Sequence, residues 1–510
     1  MKRNSLVSSD ALDPRRWWTL AVLCLSLLVI GLDNTILNVA LPTLQRDLDA
    51  SSSQLQWIVD VYMLLFAGVL LTAGSLGDRF GRKRALTLGL IVFGLGSLGS
   101  ALATSPELLI AMRAVMGIGG AFIMPSTLSI LTATFPAHER GKAIGIWAGF
   151  SGIGIALGPV AGGWLIEHAD WSWIFLVNVP VVLLALIAGR FLVPESLDES
   201  APRLDLRGFV LSFVALTALV WGLIEAPARG WTEGLVLTAF ACSALTLAAF
   251  VAWERRAPSP MLDVRLFRNP RFSASSAAIS LAFFALFGMI FFLTQYLQEV
   301  RDYSALEAGL RTMPVAAGLV IGGPLSAKLT ERLGIRVVVP AGLVIVSAAL
   351  YPLAVADAAS SYWLIATSLV ALGFGMANAM APATDAIMGS LPEAKMSVGS
   401  AINDTTRVAG GALGVAVLGS LLASGYRGGM ESAALPGPAR EIAQDSLAGG
   451  LAVAERLGDD RLAAVAQDAF LSGMHTAALV ASGVALLGAL VAVVFLPSGE
   501  RVPAREAVPA

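Results

Sequence analysis

The sequence predicts an all-α polytopic membrane protein of fourteen transmembrane helices, two six-helix halves with two further helices inserted between them. Three observations carry this: a charge-poor composition, fourteen apolar runs of spanning length, and a weak repeat relating early runs to late ones. Charged residues are 14% of the 510 and hydrophobic residues 56%, whereas soluble proteins carry about 25% charged residues. A spanning helix needs about 20 apolar residues. Runs that meet this lie at 17–40, 55–77, 84–103, 107–131, 141–166, 172–193, 206–225, 234–253, 272–298, 307–331, 336–356, 361–386, 397–424 and 473–496.

The first run follows a polar tail, residues 1–16, and is too long for a signal-peptide core, so it reads as a retained first helix. An even count places both termini on one side. Lysine and arginine select the side: 24 fall in the tails and loops of the amino-terminal side and eight in the opposite loops, while Arg113 and Arg407 are intramembrane. The positive-inside rule then expects both termini in the cytoplasm. Cys24 and Cys242 lie within apolar runs, so neither a disulfide framework nor a metal site is suggested.

The repeat sets the predicted boundaries. GDRFGRKR (77–84) follows the second run and TERLGIR (330–336) the tenth; ALGPVAGG (156–163) in the fifth is echoed by ALGVAVLG (412–419) in the thirteenth. Repeated halves are how many secondary transporters are built. The expected units are a six-helix bundle at 17–193, two inserted helices within 194–253, a basic linker at 254–271, and a second bundle at 272–496, with a tail at 497–510. The second bundle includes a long outside loop, 425–472. That loop has helix-like periodicity and reads either as a surface-lying element or as a solvated loop with short helices.

Residues 145–163, GIWAGFSGIGIALGPVAGG, place Gly145, Gly154, Gly158, Gly162 and Gly163 around Pro159. Small residues at this spacing let a neighbouring helix approach backbone to backbone, and proline permits a kink. Ionisable residues within lipid are functional candidates by default. Asp33 lies roughly 24 Å along the first helix, and Asp60 and Arg113 each roughly 9 Å in from the opposite side, so the three share a depth. Two carboxylates beside one guanidinium can exchange a proton. The bland alternatives are a structural helix-packing polar group for Asp33, access to interfacial water for Asp60 and a structural ion pair for Arg113. Asp404 and Arg407, three apart, share a helix face and read as an internal ion pair or as cavity groups. Phe284, Phe287 and Phe291, continued by Gln295, fall on one helical face and would suit flat cations. Asn34, Asn38 and Asn378 are further polar candidates for substrate contact.

With these residues in view, the chain resembles the major facilitator superfamily, and within it the fourteen-span drug:proton antiporters. The resemblance is carried by LDNTILNVALP (32–42), GSLGDRFGRKR (74–84), RAVMGIGGAFIMP (113–125) and the glycine-rich run at 145–163, in order and at the corresponding helices. It implies proton-coupled export of lipophilic, often cationic compounds by alternating access. Asp33, Asp60 and Arg113 would be coupling residues. Asp78, Arg79, Gly81, Arg82 and Lys83 would form a loop latch that holds the outward-facing state through charge contacts with neighbouring helices. It also implies a bacterial cytoplasmic (inner) membrane location, a functional monomer, protons as coupling ion with no cofactor, and no nucleic-acid partner. Export of an endogenous antibiotic, metabolite or lipid would use the same motifs. A membrane sensor or intramembrane enzyme is the remaining class; no HExxH or P-loop signature supports it, so no enzymatic activity is expected.

Overall fold

The computed structural model describes residues 15–197, 205–258, 260–390, 396–431, 433 and 435–496. The expected tails, 1–14 and 497–510, lie outside the described residues. Among the described residues the chain is helical and has no strand. The first group of helices is α1 (Arg16–Asp47), α2 (Ser52–Phe80), α3 (Arg82–Ala101), α4 (Pro106–Thr134), α5 (Ala137–His168), α6 (Trp173–Leu176) and α7 (Asn178–Leu192). A hairpin follows, α8 (Leu206–Arg229) and α9 (Gly234–Glu254). The second group is α10 (Pro270–Gln295), α11 (Ala305–Thr312), α12 (Pro314–Leu333), α13 (Ile335–Leu350), α14 (Tyr362–Gly389), α15 (Met396–Met430), α16 (Gly437–Asp445), α17 (Leu447–Leu457) and α18 (Asp460–Phe495). The face where α1 starts is called the near face, and the face where α1 ends the far face.

Thirteen segments among the described residues are long and apolar enough to cross a membrane. The 32-residue α5, packed against α1 and α11, supplies a further long helix, so the architecture is compatible with the expected fourteen. Three expected segments differ in detail. The sixth is split into α6 and α7 at Val177. The tenth is split at Met313, because Pro314 lacks the amide proton a continuous helix needs and instead opens α12. The last helix starts at Asp460 rather than near 473, with Asp459 accepting from the amides of Arg461 and Leu462 as its cap.

The two groups repeat one packing scheme. In the first, α1 packs on α5 and α2 on α4; in the second, α10 packs on α15 and α12 on α14. The loop repeat is backbone geometry. Gly81 between α2 and α3 has φ +115° and Gly334 between α12 and α13 has φ +78°, conformations that only glycine adopts without strain. The inserted hairpin lies across the join between the halves. Leu64 of α2, Val220 and Ile224 of α8 and Ala416 of α15 form one buried apolar cluster. Trp57 Nε1 donates to Glu225 at 3.4 Å and Ser420 Oγ donates to the Leu223 carbonyl.

The 425–472 stretch follows the second of its two sequence readings in having short helices, but it is docked rather than free. Tyr426 Oη donates to the carbonyls of Ala443 (2.8 Å) and Ser446 (2.7 Å). Asp445 Oδ2 accepts from the Ser52 amide at 3.0 Å, at the start of α2. The cap therefore joins the two halves on the far face. Gln298 Nε2 donates to the Val39 carbonyl at 2.9 Å, and the Leu306 amide donates to Glu167 Oε1 at 3.0 Å, on the same face.

Candidate functional site

Arg113 of α4 is 2% exposed and Asp33 of α1 fully buried, and Nη1 of the first donates to Oδ2 of the second at 2.6 Å. Arg113 Nε also donates to the Ile58 carbonyl at 3.1 Å, and its Cζ lies 4.3 Å from the Tyr62 ring centroid. Asn178, buried on α7, donates to Ser97 Oγ at 3.2 Å. Asp60 is fully buried on α2, yet neither of its oxygens has a hydrogen-bond partner. The structure thus pairs Arg113 with Asp33 and not with Asp60. Helical pitch gives a distance along α2 but not an azimuth around it. A buried ionised carboxylate without partners is too costly to persist. Asp60 is thus a buried carboxyl outside the hydrogen bonds of the Asp33–Arg113 pair.

A cavity of about 610 Å³ lies between the halves. Its wall includes Asn34 of α1, Phe66 of α2, Ile155 of α5, Phe283 and Phe287 of α10, and Asp404 and Arg407 of α15. Arg407 Nη1 stands 3.6 Å from Asp404 Oδ1, and its guanidinium carbon 4.8 Å from the Phe283 centroid. Asp404 and Arg407 form an ion pair whose members line the cavity.

The aromatic face read from α10 divides. Phe287 lines the cavity, joined by Phe283, which the sequence reading did not single out. Phe284 is buried away from it, its backbone against Gly414. Phe291 and Gln295 line a smaller far-face space of about 360 Å³, with Gln56 and Tyr426. Asn38 donates to the Asn34 carbonyl at 3.2 Å and Asn378 to the Phe374 carbonyl at 2.8 Å; neither is in the cavity wall.

The glycine-rich helix α5 runs unbroken through Pro159. A Cβ at Gly154 would lie 2.8 Å from the Leu28 carbonyl oxygen, one at Gly158 2.9 Å from that of Leu32, and one at Gly162 2.8 Å from that of Ile36. These three form the groove that receives α1, and Thr35 Oγ1 seals it by donating to the Ile155 carbonyl at 3.0 Å. Gly163 faces the other half, 2.5 Å from Leu306 Cα by the same construction, and Gly309 of α11 abuts the Pro159 carbonyl. Gly145 departs from the expectation: nothing lies within 4 Å of its Cβ position.

The near-face loop is held within its own half. Arg82 Nε donates to Asp78 Oδ1 at 2.7 Å, and its Nη1 reaches the Ser129 carbonyl at 3.5 Å. The Lys83 amide donates to Glu195 Oε1 at 3.0 Å, and Lys83 Nζ to the Arg190 carbonyl at 2.9 Å. Gly81 sits over the Glu195 carboxylate. Arg79 lies over Phe80, 5.5 Å from its centroid. Beyond the Arg82–Asp78 pair, these contacts run to α4, α7 and the segment after α7, in the arrangement the structure captures.

Two helical bundles that meet around a central cavity, with buried charges beside it, define a polytopic membrane carrier. The chain belongs to the Major Facilitator Superfamily, whose pattern matches residues 23–415. It is 35% identical to the tetracenomycin C resistance and export protein of Streptomyces glaucescens, over 98% of this chain and 96% of that one. It is 38% identical to the multidrug efflux pump LfrA of Mycolicibacterium smegmatis, over 95% and 97%. Among solved structures it is similar to a bacterial homologue of the human lysosomal transporter Spinster, with a TM-score of 0.68, 18% identity, and coverage of 95% of this chain and 98% of that one; this likeness concerns the fold.

Proposed function

We propose that the chain is a proton-coupled exporter of lipophilic, often cationic small molecules, working by alternating access in a bacterial cytoplasmic membrane with the near face in the cytoplasm. The observation that carries this is the buried Asp33–Arg113 pair and the unpartnered Asp60, set on helices whose next residues line the cavity: Asn34 follows Asp33, and Met63 lies one turn beyond Asp60. A desolvated carboxylate prefers its proton and a nearby cation favours ionisation. Cargo and proton therefore compete, which is what exchange requires. The contacts between halves described above lie on the far face, so the captured arrangement is closed there.

The proton is the coupling ion in this reading, no organic cofactor or enzymatic step is invoked, and a monomer suffices. The export relative of Streptomyces favours a second reading of the cargo, an antibiotic or other metabolite. Both are tested in everted vesicles with an imposed proton gradient and a panel of cationic, neutral and lipid cargoes. Gradient-dependent uptake is expected, and its absence for every cargo would sink the exporter reading.

A further inference from the structure

Tyr62 is 1% exposed, and its ring carries the Arg113 guanidinium at 4.3 Å. Its hydroxyl has no hydrogen-bond partner, so the hydroxyl does not explain the residue; the ring face does. The other ring neighbour is Phe66, with centroids 5.9 Å apart, and Phe66 lines the cavity. The groove that admits this ring is written in α4. Arg113, Gly117 and Gly120 fall at i, i+4 and i+7, one helical stripe. A Cβ at Gly117 would lie 2.5 Å from the Tyr62 carbonyl oxygen, and one at Gly120 2.8 Å from the Phe66 ring and 3.2 Å from Tyr62 Oη. The stripe brings α2 against α4 so that Asp33, Arg113, Tyr62, Phe66 and the cavity form a continuous series of contacts.

We propose that Tyr62 is a positioning residue: its ring holds the Arg113 guanidinium on Asp33 and, through Phe66, links that ion pair to whatever occupies the cavity. This rests on the exporter reading above. A cation over an aromatic face is attracted by the ring quadrupole, most strongly where water is excluded. Cargo pressing on Phe66 tilts the Tyr62 ring and loosens Arg113, and that movement changes the balance between proton and ion pair.

The test is proton release by purified protein in weakly buffered detergent on addition of tetraphenylphosphonium, with binding of the same cation measured in parallel. The wild type is expected to release protons on binding, and Tyr62→Phe, which keeps the ring, to match it. Tyr62→Leu is expected to bind the cation but release clearly fewer protons per cation bound, because the desolvated cation–π contact that holds Arg113 on Asp33 is gone. Gly120→Ala leaves Tyr62 in place but pushes on both rings, and is expected to fall in the same direction; it decides the matter if Tyr62→Leu does not fold. Wild-type release per bound cation from Tyr62→Leu, or from Gly120→Ala where it is the deciding variant, would overturn the role of Tyr62 alone. Binding without release in the wild type would overturn the exchange reading, and this proposal with it.

Discussion

Arg113 and Asp33 meet at 2.6 Å across the contact between α4 and α1, both shut away from solvent. The pair is asymmetric in its support. Arg113 has two further partners, the Ile58 carbonyl and the Tyr62 ring, whereas Asp33 Oδ1 accepts no hydrogen bond. Removing one member of a buried pair strands the other and costs about 3–5 kcal/mol. A stranded carboxylate can neutralise itself by taking up a proton, whereas a stranded guanidinium stays charged, so Asp33→Asn is expected to lower folded yield more than Arg113→Gln despite the further partners of Arg113. Combining both changes should recover part of the stability without recovering gradient-driven transport. Thermal unfolding in detergent and vesicle transport, measured on the three variants, separate these effects. Recovery of transport in the double variant would show that the pair is only a structural tie.

The glycines of α5 are not equivalent. At Gly158 an added methyl would meet backbone on α1, 2.9 Å from the Leu32 carbonyl oxygen and 3.0 Å from the Ile36 amide nitrogen. Backbone cannot rotate away, so Gly158→Ala is expected to destabilise by about 1–3 kcal/mol, the usual range for overpacking. Gly145 faces open space, and Gly145→Ala should be neutral or slightly stabilising through helix propensity, by up to about 1 kcal/mol. Expression and thermal unfolding of the two variants, side by side, check the contrast.

The architecture was legible because its signals are chemical and local. Spanning length, the two loop glycines at Gly81 and Gly334, and the weakly similar runs at 156–163 and 412–419 needed no tertiary information. The site was half legible. Arg113 and Asp33 stand out because intramembrane charge is rare, and depth along a helix follows from a fixed rise. Azimuth does not: Asp60 makes no hydrogen bond to Arg113, and on the α10 aromatic face Phe287 meets the cavity together with Phe283 and not with Phe284. Tyr62 carried no signal of its own, being one aromatic residue in an apolar run. Only the stripe from Arg113 through Gly117 to Gly120 on the opposing helix could have pointed to it.

Gly163 tests the far-face seam. Its Cβ position lies 2.5 Å from the Ala305 carbonyl oxygen and 2.5 Å from Leu306 Cα, on the other half of the molecule. Gly163→Ala therefore leaves the α1–α5 groove intact but prevents close approach of the halves where they meet. The expected outcome is normal folded abundance with a shift toward far-face opening. A cysteine placed at Gln295, in the small far-face space, should react faster with a membrane-impermeant maleimide in this variant than in the otherwise unaltered chain. An unchanged rate would mean that the seam is not a closure point.

Asp445 gives the far-face cap a pH dependence whose sign can be worked out. Burial raises its carboxyl above the ordinary value, opposed by the Ser52 amide and by Arg427, whose Nη2 stands 3.8 Å away. A group with a higher pKa in the docked state binds protons more readily there, so docking takes up protons. By linkage, docking strengthens as pH falls from neutral toward the ordinary carboxylate range, and weakens as pH rises through the docked value. The bonds from Tyr426 to the carbonyls of Ala443 and Ser446 do not titrate in this range, and they set a floor beneath the effect. Hydrogen exchange of amides in Gly437–Leu457 should therefore slow at mildly acidic pH, after correction for intrinsic exchange rates. Asp445→Asn keeps an acceptor for the Ser52 amide and removes the titration. Its corrected exchange should be flat with pH and close to the acidic value of the unaltered chain. A cap that loosened on acidification would mean that the ionised pair with Arg427, and not the cost of burying the carboxylate, governs the contact.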